Sequence, residues 1–167
     1  MKLKIYLLLI LFFLVSCKKE IIEPAKTENK FYDKAYDFLS TGEKDSAFIY
    51  FNLAQNTFSQ NKDSARIGNS MVNMAILQSE AGDYYGSQET SLGAIKYLNK
   101  KEEKLYPILY SNYNNLGITS RNLGDYKNAV LFYDNAIAFA TSQSEINTCL
   151  NNKAICYKFL ENYSATT

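Results

Sequence analysis

Residues 113–136 read YNNLGITSRNLGDYKNAVLFYDNA, and this stretch decides the fold. Its central Gly124-Asp125-Tyr126 repeats the Gly82-Asp83-Tyr84 found 42 residues earlier, and Gly42 stands in the same frame 40 residues before that. A period of this size is typical of an array of similar helical units, each packed on its neighbours, rather than of a single globular core. We therefore expect stacked units that together bury one continuous apolar interior.

Apolar and small residues recur at helical spacing within each unit, for example Ala129, Tyr133, Ala136 and Ala140. No segment shows the alternation of a half-buried strand, so the prediction is an all-α chain. The turn glycines follow helical stretches, where a left-handed cap favours glycine. The predicted helices span residues 28–41, 44–59, 65–81, 84–99, 106–123, 126–141 and 145–160.

The pattern Y-x-x-L-G-x6-G-x-Y-x-x-A-x3-Y-x-x-A in residues 113–136 resembles the tetratricopeptide repeat. The resemblance implies an α-solenoid of antiparallel helix pairs, with about three and a half repeats. The expected units are 28–62, 63–103, 104–143 and an incomplete 144–167, in which Glu161 replaces the turn glycine.

The first residues have the pattern of a targeting segment. Lys2 and Lys4 precede an apolar run over residues 5–15, which is too short to span a membrane and has signal-peptide length. Leu14-Val15-Ser16-Cys17 then resembles the lipobox of bacterial lipoproteins, which implies a signal peptide over 1–16, a lipid on Cys17 and a tether over 17–27. The expected location is the bacterial cell envelope, with the protein lipid-anchored at the outer membrane on either its periplasmic or its cell-surface face. An uncleaved anchor with an incidental cysteine is the alternative.

Composition argues against several kinds of function. The formal charge is +1, which argues against nucleic acid as a partner. The chain has no histidine, the commonest general base, and its glycines are isolated rather than grouped in a phosphate-binding loop. Cys149 and Cys156 lie too far apart along one predicted helix for a disulfide and lack metal-site spacing, so both are expected as core thiols. We expect no enzyme activity, no cofactor and no metal.

The resemblance also implies that the first helix of each pair lines a concave groove. Asn73, Asn115 and Asn152 occupy one repeat position, where an amide can donate and accept a hydrogen bond to a peptide backbone. Hydrogen bonding within the fold itself is the alternative role for these asparagines. The full set of expected groove residues is Val72, Asn73, Ile76, Asn114, Asn115, Ile118, Arg121, Asn151, Asn152 and Ile155.

The expected function is therefore a lipid-anchored scaffold that binds a protein or peptide in its groove. The alternative is the truncated sensory region of a longer signalling protein, such as a sensor kinase or a transcriptional regulator. Helix 145–160 is apolar and has no second helix after it in the sequence, which leaves three alternatives: truncation of a longer protein, end-to-end self-association through this helix, or fraying of the helix.

Overall fold

The protein is described by a computed structural model, which covers residues 29–164. This part of the chain is all-helical, with seven α-helices, one short 3-10 helix and no strand. In chain order the elements are α1 (Lys30–Thr41), α2 (Lys44–Gln60), α3 (Ser64–Glu80), α4 (Tyr84–Ile95), the 3-10 helix (Glu103–Leu105), α5 (Tyr106–Asn122), α6 (Tyr126–Phe139) and α7 (Gln143–Ser164).

Successive helices pack in pairs, α1 on α2, α3 on α4 and α5 on α6, and α7 packs on α6. The turns inside the pairs are only two or three residues long, which makes the paired helices antiparallel. The predicted all-α solenoid is confirmed. We call α1, α3, α5 and α7 the first helices, and α2, α4 and α6 the second helices.

The turn inside each pair is built as the sequence predicts. Gly42, Gly82 and Gly124 have φ values of 79°, 83° and 80°, in the left-handed region that favours glycine. Asp83 then caps α4, since its carboxylate accepts a hydrogen bond from the Gly86 amide at 2.9 Å. An equivalent aspartate, Asp125, caps α6. These carboxylates therefore have a structural role in starting the second helices.

Small residues allow the paired helices to approach closely. Ala35 and Ala75 are fully buried on their first helices. Ser87 of α4 donates a hydrogen bond to the carbonyl oxygen of Ala75 at 2.6 Å, which shows how near the two backbones lie. In the third pair, the ring of Tyr133 occupies the space beside Gly117. The close packing explains why the sequence keeps small side chains at these positions.

Two predicted helix ends differ from the structure by four residues. Helix α4 ends at Ile95, four residues before the predicted end, because the amides of Tyr97 and Leu98 bond to carbonyls three residues back and tighten the chain. At the other end of the array, the turn predicted at Glu161 is absent, since α7 continues through it to Ser164. No glycine is present at that position to take a left-handed conformation and end the helix.

Cys149 and Cys156 are both fully buried and unbridged, as predicted. Burial raises the pKa of each thiol above its ordinary value, so both are neutral at pH 7. The signal peptide, Cys17 and the tether lie outside the described residues. Within the described residues, no helix combines the length and apolar character needed to cross a bilayer.

Candidate functional site

The first helices lie side by side and form one continuous surface. Helix α3 contacts α5, and α5 contacts α7. Hydrogen bonds also join them across the surface, from Asn73 Nδ2 to Tyr36 Oη at 3.2 Å and from Arg121 Nη1 to Asn152 Oδ1 at 3.0 Å. We call this surface the first-helix face, and its members are Tyr36, Asn73, Ile76, Asn114, Ile118, Arg121, Asn151, Asn152 and Ile155.

The structure brings eight of the ten expected groove residues to this face. Each of the eight is at least partly exposed, and together they come from three successive first helices. Ile76 and Ile118 pack against the main core with part of each side chain and expose the rest. The face therefore has an apolar floor with amide side chains beside it.

Two expected groove residues lie elsewhere. Val72 is 2% exposed and Asn115 is 4% exposed, so both belong to the core. Asn115 Nδ2 donates to the hydroxyl oxygens of Ser87 at 2.9 Å and of Ser91 at 3.1 Å. The serines of α4 are small enough to leave room for the amide, which turns inward instead of towards a ligand. The expected row of three exposed asparagines is thus interrupted in the middle.

The sequence contains a signal for the inward orientation of the Asn115 side chain. Ser91 stands where the first unit has Phe51 and the third has Tyr133, so α4 lacks the aromatic ring that fills this space in its neighbours. A polar side chain from α5, that of Asn115, occupies the gap and finds hydroxyl partners there. Without the positions of the neighbouring helices, the two roles of Asn115 could not be separated.

The other two asparagines of the predicted row keep part of their hydrogen-bonding capacity. Asn73 donates through Nδ2 to Asn69 and Tyr36, and Asn152 accepts through Oδ1 from Arg121. Among the described residues, Asn73 Oδ1 and Asn152 Nδ2 have no hydrogen-bond partner. Each amide therefore supports the fold with one group and presents the other to solvent.

Sequence reasoning missed the contribution of α1 to the face. Tyr36 is 41% exposed and lies in the same repeat position as Ile76, Ile118 and Ile155. The ring of Tyr36 packs edge-on against buried Phe51, with 5.2 Å between ring centroids, so Phe51 supports this ring on the side of the core. The spacing from the turn glycine would have found Tyr36, since Tyr36 and Ile76 each precede that glycine by six residues.

Two neighbouring ionisable groups, Tyr110 and Cys149, lie close to Asn114 of the face. Burial raises the pKa of Tyr110 to about 12, and that of the neighbouring Cys149 thiol is raised for the same reason. A neutral thiol is a poor nucleophile. In the stretch that the structure describes, no group of three or more His, Cys, Asp or Glu side chains could hold a metal ion.

Helix α7 differs from the other first helices on the side away from the core. Leu150, Ala154 and Tyr157 are exposed, whereas the equivalent residues of α5, Tyr113, Gly117 and Ser120, are buried. Phe139 and Tyr133 of α6 cover the first two of these α5 residues. None of the described residues covers α7 in the same way. Self-association through this helix stays a prediction.

No protein-family model matches the chain, and no curated protein matches its sequence. Solved structures do resemble it. The crystal structure of BtubC (BKLC) from P. vanneervenii is 17% identical with a TM-score of 0.68, over 80% of this chain and 56% of that one. The TPR2AB-domain:pHSP90 complex of yeast Sti1 is 18% identical with a TM-score of 0.61, over 82% of this chain and 48% of that one.

These likenesses show the fold, a helical solenoid like that of the tetratricopeptide-repeat domain of Sti1. The chain spans about half the length of both similar chains. At such identities the likeness covers the backbone and does not extend to partners.

Proposed function

We propose that this protein is a non-catalytic scaffold that binds a protein or peptide on its first-helix face. The observation that carries the proposal is the face itself, a continuous surface on which half-exposed apolar side chains lie beside amides with unused hydrogen-bonding groups. Apolar side chains favour burial against a ligand, and amides can pair with the donors and acceptors of a polypeptide backbone.

The likeness to the Sti1 domain supports this proposal at the level of the fold. That domain was solved as a complex with pHSP90, so a domain of this architecture has a protein partner there. The neutral thiols and the absence of histidine from the sequence favour binding over catalysis.

The test compares two variants that each place a carboxylate at an exposed isoleucine. Ile155→Asp alters the first-helix face, whereas Ile49→Asp alters the second helix α2, and the two isoleucines are 44% and 57% exposed. We expect Ile155→Asp to reduce the amount of cross-linked partner recovered from envelope extracts at least about ten-fold, since ten-fold corresponds to about 1.4 kcal/mol of binding free energy. Ile49→Asp should leave the recovery unchanged. Equal recovery with both variants would refute the proposal.

We further propose that the scaffold is held at the bacterial envelope, on the outer membrane, by acyl chains on Cys17. The apolar run and Cys17 lie outside the described part of the chain. The proposal therefore rests on the sequence alone, on that run and on Leu14-Val15-Ser16-Cys17. Two or more acyl chains anchor a protein stably. Metabolic labelling with an alkyne fatty acid should mark the wild-type protein and not Cys17→Ala, which should leave the membrane fraction. Equal labelling of both would exclude Cys17 as the site.

A further inference from the structure

One large apolar side chain from every first helix stands at the same repeat position. These residues are Tyr36, Ile76, Ile118 and Ile155, and we call them the apolar row. The burial pattern shows which residue of α7 is equivalent to Ile118 of α5. Cys149 and Cys156 are fully buried, and so are Asn112 and Thr119, which lie 37 residues before them. The same offset relates Ile155 to Ile118.

The spacing of the row follows from helix packing. Helix α3 contacts α5, and α5 contacts α7, while a hydrogen bond between Asn73 and Tyr36 joins α3 to α1. Packed helices have axes roughly 8–10 Å apart. Because each helix contributes one member, the apolar row repeats at about this distance. A ligand that fills it must present an apolar group at the same interval.

A polypeptide in the polyproline II conformation meets this requirement. It rises ~3.1 Å per residue with three residues per turn, so every third side chain lies on the same side, ~9.3 Å from the last. In a β-strand, the side chains on one face lie about 6.6 Å apart, from a rise of roughly 3.3 Å per residue, and this interval is shorter than that of the row. An α-helix matches with side chains seven residues apart, about 10.5 Å, but it satisfies its own backbone hydrogen bonds.

The amides beside the apolar row distinguish a polyproline II ligand from a helical one. Asn73 precedes Ile76 by three residues, and Asn114 and Asn151 precede Ile118 and Ile155 by four, so each lies one helical turn from its isoleucine on the same side. Within the described part of the chain, the side chain of Asn151 makes no hydrogen bond, and that of Asn114 uses only its oxygen, which accepts from Cys149. A polyproline II backbone exposes all its polar groups to such amides, whereas a helix exposes none along its middle.

Charge gives the ligand a direction. Arg121 and Lys158 follow Ile118 and Ile155 by three residues, so two cations lie beside the second half of the row. The equivalent residues of the first half, Leu39 and Ser79, are uncharged. An acidic side chain is therefore favoured in the part of the ligand that lies over α5 and α7.

We propose, on the basis of the proposed function, that the ligand of the first-helix face is a polyproline II segment with an apolar side chain at every third position and an acidic residue over α5 and α7. The four members of the apolar row set the period of the ligand. The neighbouring amides hold its backbone, and Arg121 and Lys158 set its direction.

Fluorescein-labelled synthetic peptides test the period directly, with the full-length chain in detergent and fluorescence anisotropy as the readout. The first peptide is four repeats of Leu-Pro-Glu, and the second has the same composition with leucine at alternate positions. A third replaces proline by alanine and places leucine at helical spacing. We expect the first to bind at least about ten-fold more tightly than either other peptide.

Variants of the chain locate the binding site. Ile155→Ser should weaken binding of the first peptide several-fold, whereas Ile49→Ser, at a more exposed isoleucine on α2, should not. Lys158→Glu should weaken binding of the Leu-Pro-Glu peptide and leave that of a Leu-Pro-Gln peptide unchanged. Circular dichroism of each variant checks that the helices remain.

The two proposals fail in different ways. If the period-three peptide binds no better than the other two, or none binds, the polyproline II inference is overturned. The proposed function then still stands if recovery of the cellular partner depends on Ile155. If recovery of that partner is insensitive to Ile155→Asp, the proposed function falls and the inference falls with it.

Discussion

Replacing Gly117 by valine is expected to lower the free energy of unfolding by about 1–3 kcal/mol, the range for an overpacked core. A Cβ atom built on Gly117 would lie 2.5, 2.6 and 2.8 Å from three ring atoms of Tyr133. That ring is fully buried, so it has no free space into which it can move. The backbones of α5 and α6 would have to separate. Urea unfolding followed by circular dichroism measures the change.

Gly93→Ala provides the matched control, since this glycine is also helical. Its added Cβ would meet only the terminal methyl of Met71, at 2.9 Å, and that flexible side chain can shift at little cost. Alanine is the better helix former by about 1 kcal/mol, so Gly93→Ala should be neutral or stabilising. Equal destabilisation by both substitutions would show that the ring of Tyr133 is not what requires a glycine at position 117.

A double mutant tests the contact itself. Tyr133→Ala alone should be destabilising by about 3–5 kcal/mol, the cost of removing a large buried ring. Combined with Gly117→Val, the loss should be smaller than the sum of the two, because the valine fills space that the ring leaves. A strictly additive result would contradict the proposed close contact.

Replacing Phe51 by alanine is expected to lower the free energy of unfolding by about 3–5 kcal/mol. Phe51 is fully buried and packs edge-on against Tyr32 and Tyr36, with ring centroids 5.9 and 5.2 Å away. The substitution removes apolar contact area and the favourable edge-to-face geometry together. It also removes the support under Tyr36, the first member of the apolar row.

The control for Phe51 lies two residues earlier on the same helix. Ile49 is 57% exposed, so Ile49→Ala should change stability by no more than about 0.5 kcal/mol. Hydrogen exchange should also show where the loss occurs. Because repeats contact mainly their neighbours, Phe51→Ala should reduce amide protection in α1, α2 and α3 more than in α7. A uniform loss along the chain would argue against a stacked array.

Local signals allowed the sequence to predict the helix pairs and their turns. Gly42, Gly82 and Gly124 could be recognised as helix ends from the sequence alone. The left-handed conformation that ends a helix favours a residue without a side chain, and it does not depend on distant neighbours. The aspartates that follow two of these glycines started the next helix through a bond three residues away. The helix end at Ile95 was missed because the tightening there depends on Leu98 packing beside Gly68 of α3.

What the sequence alone determined was therefore the architecture, since backbone conformation and helical periodicity depend on residues within a few positions of each other. Only the tertiary structure decided which polar side chains face a ligand. Asn115 turned inward because the small serines of α4 left room and hydroxyl partners for it, while Tyr36 joined the face because Phe51 supports its ring. The direction of an amphipathic side chain depends on the size and chemistry of the residues on the neighbouring helix, and those are known only once the helices are packed.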